Sequence, residues 1–177
     1  MRTGGQSQQA IAEVKVQPEG FTSTLTDQEV TRKLADITRR VSRQDGVKWL
    51  TTTLVKMSDG IIALMDRGVA IGYGETSVET VRGVHGLMMH KVAVAPNRRH
   101  ARIATTLYLE LLRHIGLPIL SDYFWTKEGY ALWCAFSTSN LFHVYAINKD
   151  GKKALIEDLA SLDRFWVSEC HFMLTLG

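Results

Sequence analysis

Between His90 and Tyr108 the apolar spacing changes from two residues to nearly four, across a turn that carries Pro96, Arg98, Arg99 and Arg102. Val92 and Val94 alternate with small or polar neighbours as a strand does, and Pro96-Asn97 stops them. Ile103, Leu107, Leu111 and Ile115, widened by Ala104 and Leu112, then form one stripe of an amphipathic helix. Gly116 and Pro118 end that helix, and Leu117 to Leu120 reads as a short buried strand. A strand, a helix and a second strand in this order predict a β-α-β crossover. The turn has a chemical consequence. Free backbone amides at a helix N-terminus, with the helix dipole behind them, attract an anion. Arg98, Arg99 and Arg102 add positive charge there, which suits a pyrophosphate. The same features also suit a basic surface turn without a ligand, and the residues alone leave both readings open.

The flanking segments supply the rest of a mixed α/β chain. Ile11 to Gln17 carries a weak strand pattern. Thr26-Asp27-Gln28-Glu29 is a capping box, followed by a helix with Val30, Leu34, Ile37 and Val41 on one face. Arg32, Lys33, Arg39, Arg40 and Arg43 on its other faces read as a solvated surface, with an anionic partner as the alternative. Val47 to Met57 is expected as one strand ended by Ser58-Asp59-Gly60. Ile61 to Met65 and Val69 to Tyr73 are expected as a hairpin through Asp66-Arg67-Gly68, and Leu87 to Ala95 as a further strand. Later come a helix from Thr126 to Phe136, a strand Phe142 to Ile147, a short helix near Lys153 to Leu162, and a strand Phe165 to Leu174.

Composition excludes several classes. With 45% hydrophobic and 22% charged residues in 177, the chain can bury a core and is not of disordered type. Residues 1–10 are polar and lack an apolar h-region, so they are expected as a tail, with residues 11–177 forming one domain. No apolar run approaches bilayer length. Cys134 and Cys170 lie outside any CxxC motif, which points to reduced thiols in a cytoplasmic setting. The six histidines show no HxxxH or HExxH spacing, so no metal is expected. A net charge of +3 is too mild to argue for nucleic acid by itself.

The residues from Val47 to Phe136 resemble the GNAT superfamily of N-acetyltransferases. That superfamily carries apolar-x-Val-x-Pro at the end of its fourth strand, then Arg/Gln-x-x-Gly-x-Gly/Ala opening a helix. Val92, Val94 and Pro96 match the first part; Arg99, Ile103 and Ala104 match the second. Gly60 to Tyr73, including the run Gly68-Val69-Ala70-Ile71-Gly72-Tyr73, is similar to its second and third strands. Leu120-Ser121-Asp122 and Gly129-Tyr130-Ala131-Leu132-Trp133 are similar to its fifth strand and the helix after it. Two positions depart: Arg102 stands where the superfamily has glycine, and His100 replaces a frequent second glycine. Glycine there lets the backbone approach the pyrophosphate; Arg102 can instead swing out to a phosphate or obstruct the site.

The resemblance implies a mainly antiparallel central sheet flanked by helices, with a β-α-β core that binds acyl-CoA. It implies acetyl-CoA as co-substrate and an amine, small or on a protein, as acceptor. Val92 and Val94 would meet the pantetheine arm. His100, Ala101, Arg102, Ile103 and Ala104 would hold the pyrophosphate, with Arg99 and Thr105 or Thr106 nearby. His90 occupies the place of a glutamate base, with His85 and Glu79 as weaker candidates. Trp133 stands where a tyrosine acid is common, which leaves Tyr130, one turn earlier, as the candidate acid and Tyr123 behind it. Asp122 is a candidate for the acceptor's cation or for orienting a base. Tyr123, Phe124, Trp125, Tyr130 and Trp133 suit a core or an acceptor wall. The alternatives are a non-catalytic binder on the same fold and a nucleic-acid-associated or base-modifying protein; homodimerisation is left open.

Overall fold

The computed structural model describes residues 25–121, 126–158 and 170–177. Its elements run α1 (Asp27–Ser42), β1 (Val47–Trp49), β2 (Leu54–Met57), β3 (Ile61–Asp66), β4 (Val69–Val81), β5 (Val84–Val94), α2 (Ile103–Ile115), β6 (Ile119–Ser121), α3 (Lys127–Ser137), β7 (Phe142–Ile147), β8 (Lys153–Leu155) and β9 (His171–Leu176). The strands form one sheet ordered β1-β2-β3-β4-β5-β6-β9-β7-β8. Every neighbouring pair is antiparallel except β5 and β6, which the α2 crossover joins in parallel. The fold is thus mixed α/β, with a mainly antiparallel sheet and, among the described residues, three α-helices.

Local chemistry explains the boundaries. Thr26 accepts the Glu29 amide at 3.2 Å while Glu29 accepts the Thr26 amide at 2.7 Å, closing the expected capping box. These bonds to Thr26 hold the Glu29 carboxyl below the usual carboxylate range. Gly116, left-handed at φ 71°, ends α2 as foreseen. Four expectations change. The segment Val47 to Met57 is two paired strands, because Thr51 Oγ1 accepts the amides of Thr53 and Leu54 at 3.1 and 2.9 Å and folds the chain back. The hairpin strand expected to stop at Tyr73 runs on to Val81, polar and half-exposed in its second half, and turns through Arg82-Gly83. Lys153–Leu155 is a strand on β7 rather than the start of a helix, and residues 159–162 lie outside the described residues. The final strand begins at His171 among the described residues. The expected strand at Ile11 to Gln17 also lies outside them.

Two apolar layers cover the sheet. α1 packs Val30, Leu34, Ile37 and Val41 on one face against Val55, Met57, Ala63 and Tyr73. α2 and α3 pack Leu107, Leu111, Trp133 and Phe136 on the other, against Leu64, Leu87, Met89, Phe172 and Leu174. Burial pushes the Tyr73 hydroxyl up to about 12 and raises Tyr108 as well, so both keep their protons as core residues.

The position of α2 depends on glycine. A Cβ at Gly72 would sit 2.9 Å from Ile103 Cγ2, the first residue of α2, and 3.4 Å from the Ala93 carbonyl. Only a bare backbone on β4 admits the helix start this closely. Gly72→Val is expected to lower stability by about 1–3 kcal/mol, the range for overpacking. Urea unfolding checks this; an unchanged midpoint would mean that α2 does not seat on Gly72.

Candidate active site

β5 pairs with β6 through Leu87, Met88 and Met89, opposite Ile119, Leu120 and Ser121. β5 then continues to Val94 with its other edge held by β4. Among the described residues nothing pairs with its β6-side edge after Met89. On that side, and among the described residues, β5 thus runs on alone past the carboxyl end of its parallel neighbour β6, the kind of place where open α/β sheets take ligands.

β5 leads out of the sheet through a single 3₁₀ turn, Pro96–Arg98, into α2. His100 and Arg102 there have φ of 69° and 57°. Both are in the left-handed region that L-residues avoid, at a cost of about 1–2 kcal/mol each. The backbone here takes a conformation that glycine adopts without strain, with histidine and arginine in place of glycine. Arg102 is the N-cap of α2 and its side chain makes no capping bond. The first amides of α2, from Ile103 to Thr105, therefore face outward without a side-chain acceptor, as an anion site requires. The Thr106 hydroxyl is committed to the Arg102 carbonyl at 3.0 Å.

The three arginines divide their work. Arg98 pairs with Asp66 in the β3–β4 turn at 2.9 Å, and Arg99 with Asp27 in the first turn of α1 at 2.6 Å. Both pairs are exposed and each contributes about 0–1 kcal/mol; their effect is to anchor the loop on two sides. Arg102 makes no ion pair among the described residues. An open depression of roughly 410 Å³, lined by Asp66, Arg67, Ile71, Ala95, Asn97 and Arg98, lies beside the turn.

The candidate base is displaced from its expected side. Glu75 pairs with Lys91 and Thr76 with Met89, so β5 carries an extra residue, His90, in a bulge. The bulge resets the alternation: Met89 and Val92 both face the α2–α3 layer. His90 does not share their face. Its Nε2 lies 2.6 Å from Ser77 Oγ and 3.3 Å from Glu79 Oε1, and Ser77 Oγ donates to the same Glu79 oxygen at 2.5 Å. Ser77 and Glu79 stand opposite Met88 and Gly86 on the α1 side of the sheet. Ser77 had no signal in the sequence, because β4 was not expected to reach it. His85 bonds Thr80 at 3.1 Å near the hairpin tip.

Tyr130 is half-buried on α3 and packs on the α2–α3 core, across the sheet from His90. Trp133 is buried against Phe136 and Phe172, so it is a core residue. Asp122, Tyr123, Phe124 and Trp125 lie outside the described residues. At the end of β6 the sequence reading missed a buried polar pair. Ser121 Oγ accepts the Phe172 amide at 2.9 Å, and His171 Nδ1 donates to the Ser121 carbonyl at 3.1 Å. These bonds tie β9 to β6 there. No three or more His, Cys, Asp or Glu side chains are grouped to hold a metal among the described residues, and none of their helices is long and apolar enough to cross a membrane.

No family model matches the chain, and no curated protein matches it. Among solved structures, the chain is similar to the ribosomal-protein-S18-alanine N-acetyltransferase from Escherichia coli. The two are 12% identical over 87% of this chain and 91% of that one, with a TM-score of 0.38.

If the turn holds a glycine-shaped backbone, glycine itself should be tolerated. Relief of about 1–2 kcal/mol of left-handed strain exceeds or cancels the roughly 0.5–1 kcal/mol entropic cost of glycine. Arg102→Gly is therefore expected to leave the urea midpoint equal or higher, and Arg102→Val to lower it. Equal losses in both variants would contradict the assigned conformation.

Proposed function

We propose that the chain is an acyl-CoA-dependent N-acetyltransferase that moves an acetyl group directly to an amine. The observation that carries this reading is the turn after β5. Two non-glycine residues are held in glycine's backbone conformation immediately before an uncapped helix N-terminus, at the open end of a parallel strand pair. Gln44, Arg67 and Arg82 are left-handed in other turns of the chain, so what supports the reading is the place of His100 and Arg102, directly before the start of α2, and not the strain alone.

In this reading the amides of His100 to Thr105 hold the pyrophosphate, and Arg102 adds the cation while Arg98 and Arg99 shape the loop. The backbone of Val92 and Val94 meets the pantetheine arm along the free edge of β5. The thioester then lies in the opening beyond Met89, approached from the α1 side by His90 and from the α3 side by Tyr130. The amine attacks the thioester carbonyl carbon and gives its proton to His90; the carbon–sulfur bond breaks, and Tyr130 returns a proton to the sulfur. Asp122, the next residue in the sequence after Ser121, is assigned to the cation of the acceptor.

Thermal unfolding with acetyl-CoA, CoA or ATP tests the reading. A ligand about a hundredfold above its Kd stabilises the native state by about 2.7 kcal/mol, which is several degrees in Tm for a chain of this size. Acetyl-CoA and CoA are expected to raise the midpoint, ATP to do so weakly, and Arg102→Glu to reduce the CoA effect. No rise with CoA, or an equal rise with ATP, would contradict the assignment.

A further inference from the structure

The β1–β2 pair breaks a rule of sheets. Lys48 and Lys56 are direct cross-strand partners, and like charges directly opposite each other are destabilising. Neither ammonium group makes an ion pair among the described residues. The acids of the neighbouring turns are engaged elsewhere. Asp59, in the β2–β3 turn, pairs with Arg40 at 2.8 Å, and Asp45, before β1, acts on the same guanidinium. Glu110 on α2 is shared by Arg113 and His114 at 3.3 and 3.4 Å. Both lysines border an open groove of roughly 560 Å³, whose lining also includes Gln44, Ser58, Leu50 and Ile115. Leu50 and Ile115 pack on the α2–α3 layer, so the groove has two cations and an apolar side. Ile115 is the last residue of α2, which puts the groove at the opposite end of that helix from the strained turn.

We propose that this groove binds a small amphipathic anion, its charged head between Lys48 and Lys56 and its apolar body against Leu50 and Ile115. The head relieves the repulsion that the strand register imposes, and the body removes apolar surface from water. Two structural reasons for the lysines fall short. A lysine protects an edge strand from pairing with another chain, but only Lys48 is on the edge; Lys56 is on β2, paired on both sides. A helix C-terminus attracts cations, but the last turn of α2 already carries Arg113 and His114. A local rule broken beside a groove is the mark of a functional position. The proposal does not depend on the acetyltransferase reading.

The test is a backbone amide titration of the full ¹⁵N-labelled chain with octanoate, using octanol as the neutral probe and sulfate as the anion without an apolar body. Octanoate is expected to shift residues 46–50 and 56–58 and Ile115 saturably. Octanol and sulfate should bind there about tenfold more weakly, the loss of one contact to a charged group or of a buried apolar chain. The double variant Lys48→Gln, Lys56→Gln should lose the preference for octanoate, and Lys48→Arg, Lys56→Arg should keep it. Without ligand, the glutamine variant should unfold at no lower a urea concentration than the unaltered chain, because the repulsion is gone. Octanol or sulfate binding as tightly as octanoate, octanoate shifts elsewhere, or a lower urea midpoint in the glutamine variant overturns the proposal. No CoA is in the sample, and the expected shifts lie away from the start of α2, so the outcome is separate from that of the acyl-CoA assignment.

Discussion

The seating of α2 on β4 is the contact on which the rest of the arrangement depends. Ile103 lies over Gly72, where a methyl group would already be too close. That contact sets where the helix begins, and therefore where its outward amides stand relative to the end of β5. The dipole and the amides act only within the first turn, so a small displacement of the helix start would move those amides away from the end of β5. The buried stripe of Leu107, Leu111 and Leu112 keeps the helix on the sheet, but side-chain packing alone tolerates sliding. Gly72 supplies the steric stop, and the Arg98–Asp66 and Arg99–Asp27 pairs hold the loop from either side.

A second constraint is the extra residue in β5. Without it, His90 would point with Val92 into the α2–α3 layer, an apolar place for an imidazole. With it, the backbone of Val92 and Val94 stays on the open edge while the histidine crosses to the α1 side and meets Ser77 and Glu79. One inserted residue thus separates the edge of β5 that carries Val92 and Val94 from the face that carries the His90 cluster. His90, the end of β5 and the strained turn follow one another along the chain, while Ser77 and Glu79 reach His90 from the neighbouring strand β4.

Much of this was legible in the residues. The apolar stripes of α1 and α2, the capping box at Thr26, the Gly116 stop and the β-α-β crossover each follow from a spacing or a turn residue that admits few alternatives. The misreadings have physical causes. Thr51 looked like a strand residue by propensity, yet its hydroxyl is more useful closing a turn. The second half of β4 is polar on both faces because little covers it, so no apolar alternation marked it, and Ser77 was missed with it. Lys153–Leu155 is held by backbone pairing to β7, which leaves no side-chain signature in three residues. The face of His90 was misjudged because a bulge belongs to a pair of strands and cannot be seen along one. At His100 and Arg102 the backbone kept a glycine conformation that the side chains argue against, a local rule broken at the candidate site.

The central claim is that the start of α2 and the free end of β5 together hold an acyl-CoA. A backbone amide titration of the labelled chain with CoA tests it most directly. The account predicts that the largest shifts fall on His100 to Thr105 and on Lys91 to Val94, with α1 and the β7–β8 pair little affected. Shifts spread over the basic face of α1 instead, or none at saturating CoA, would contradict it.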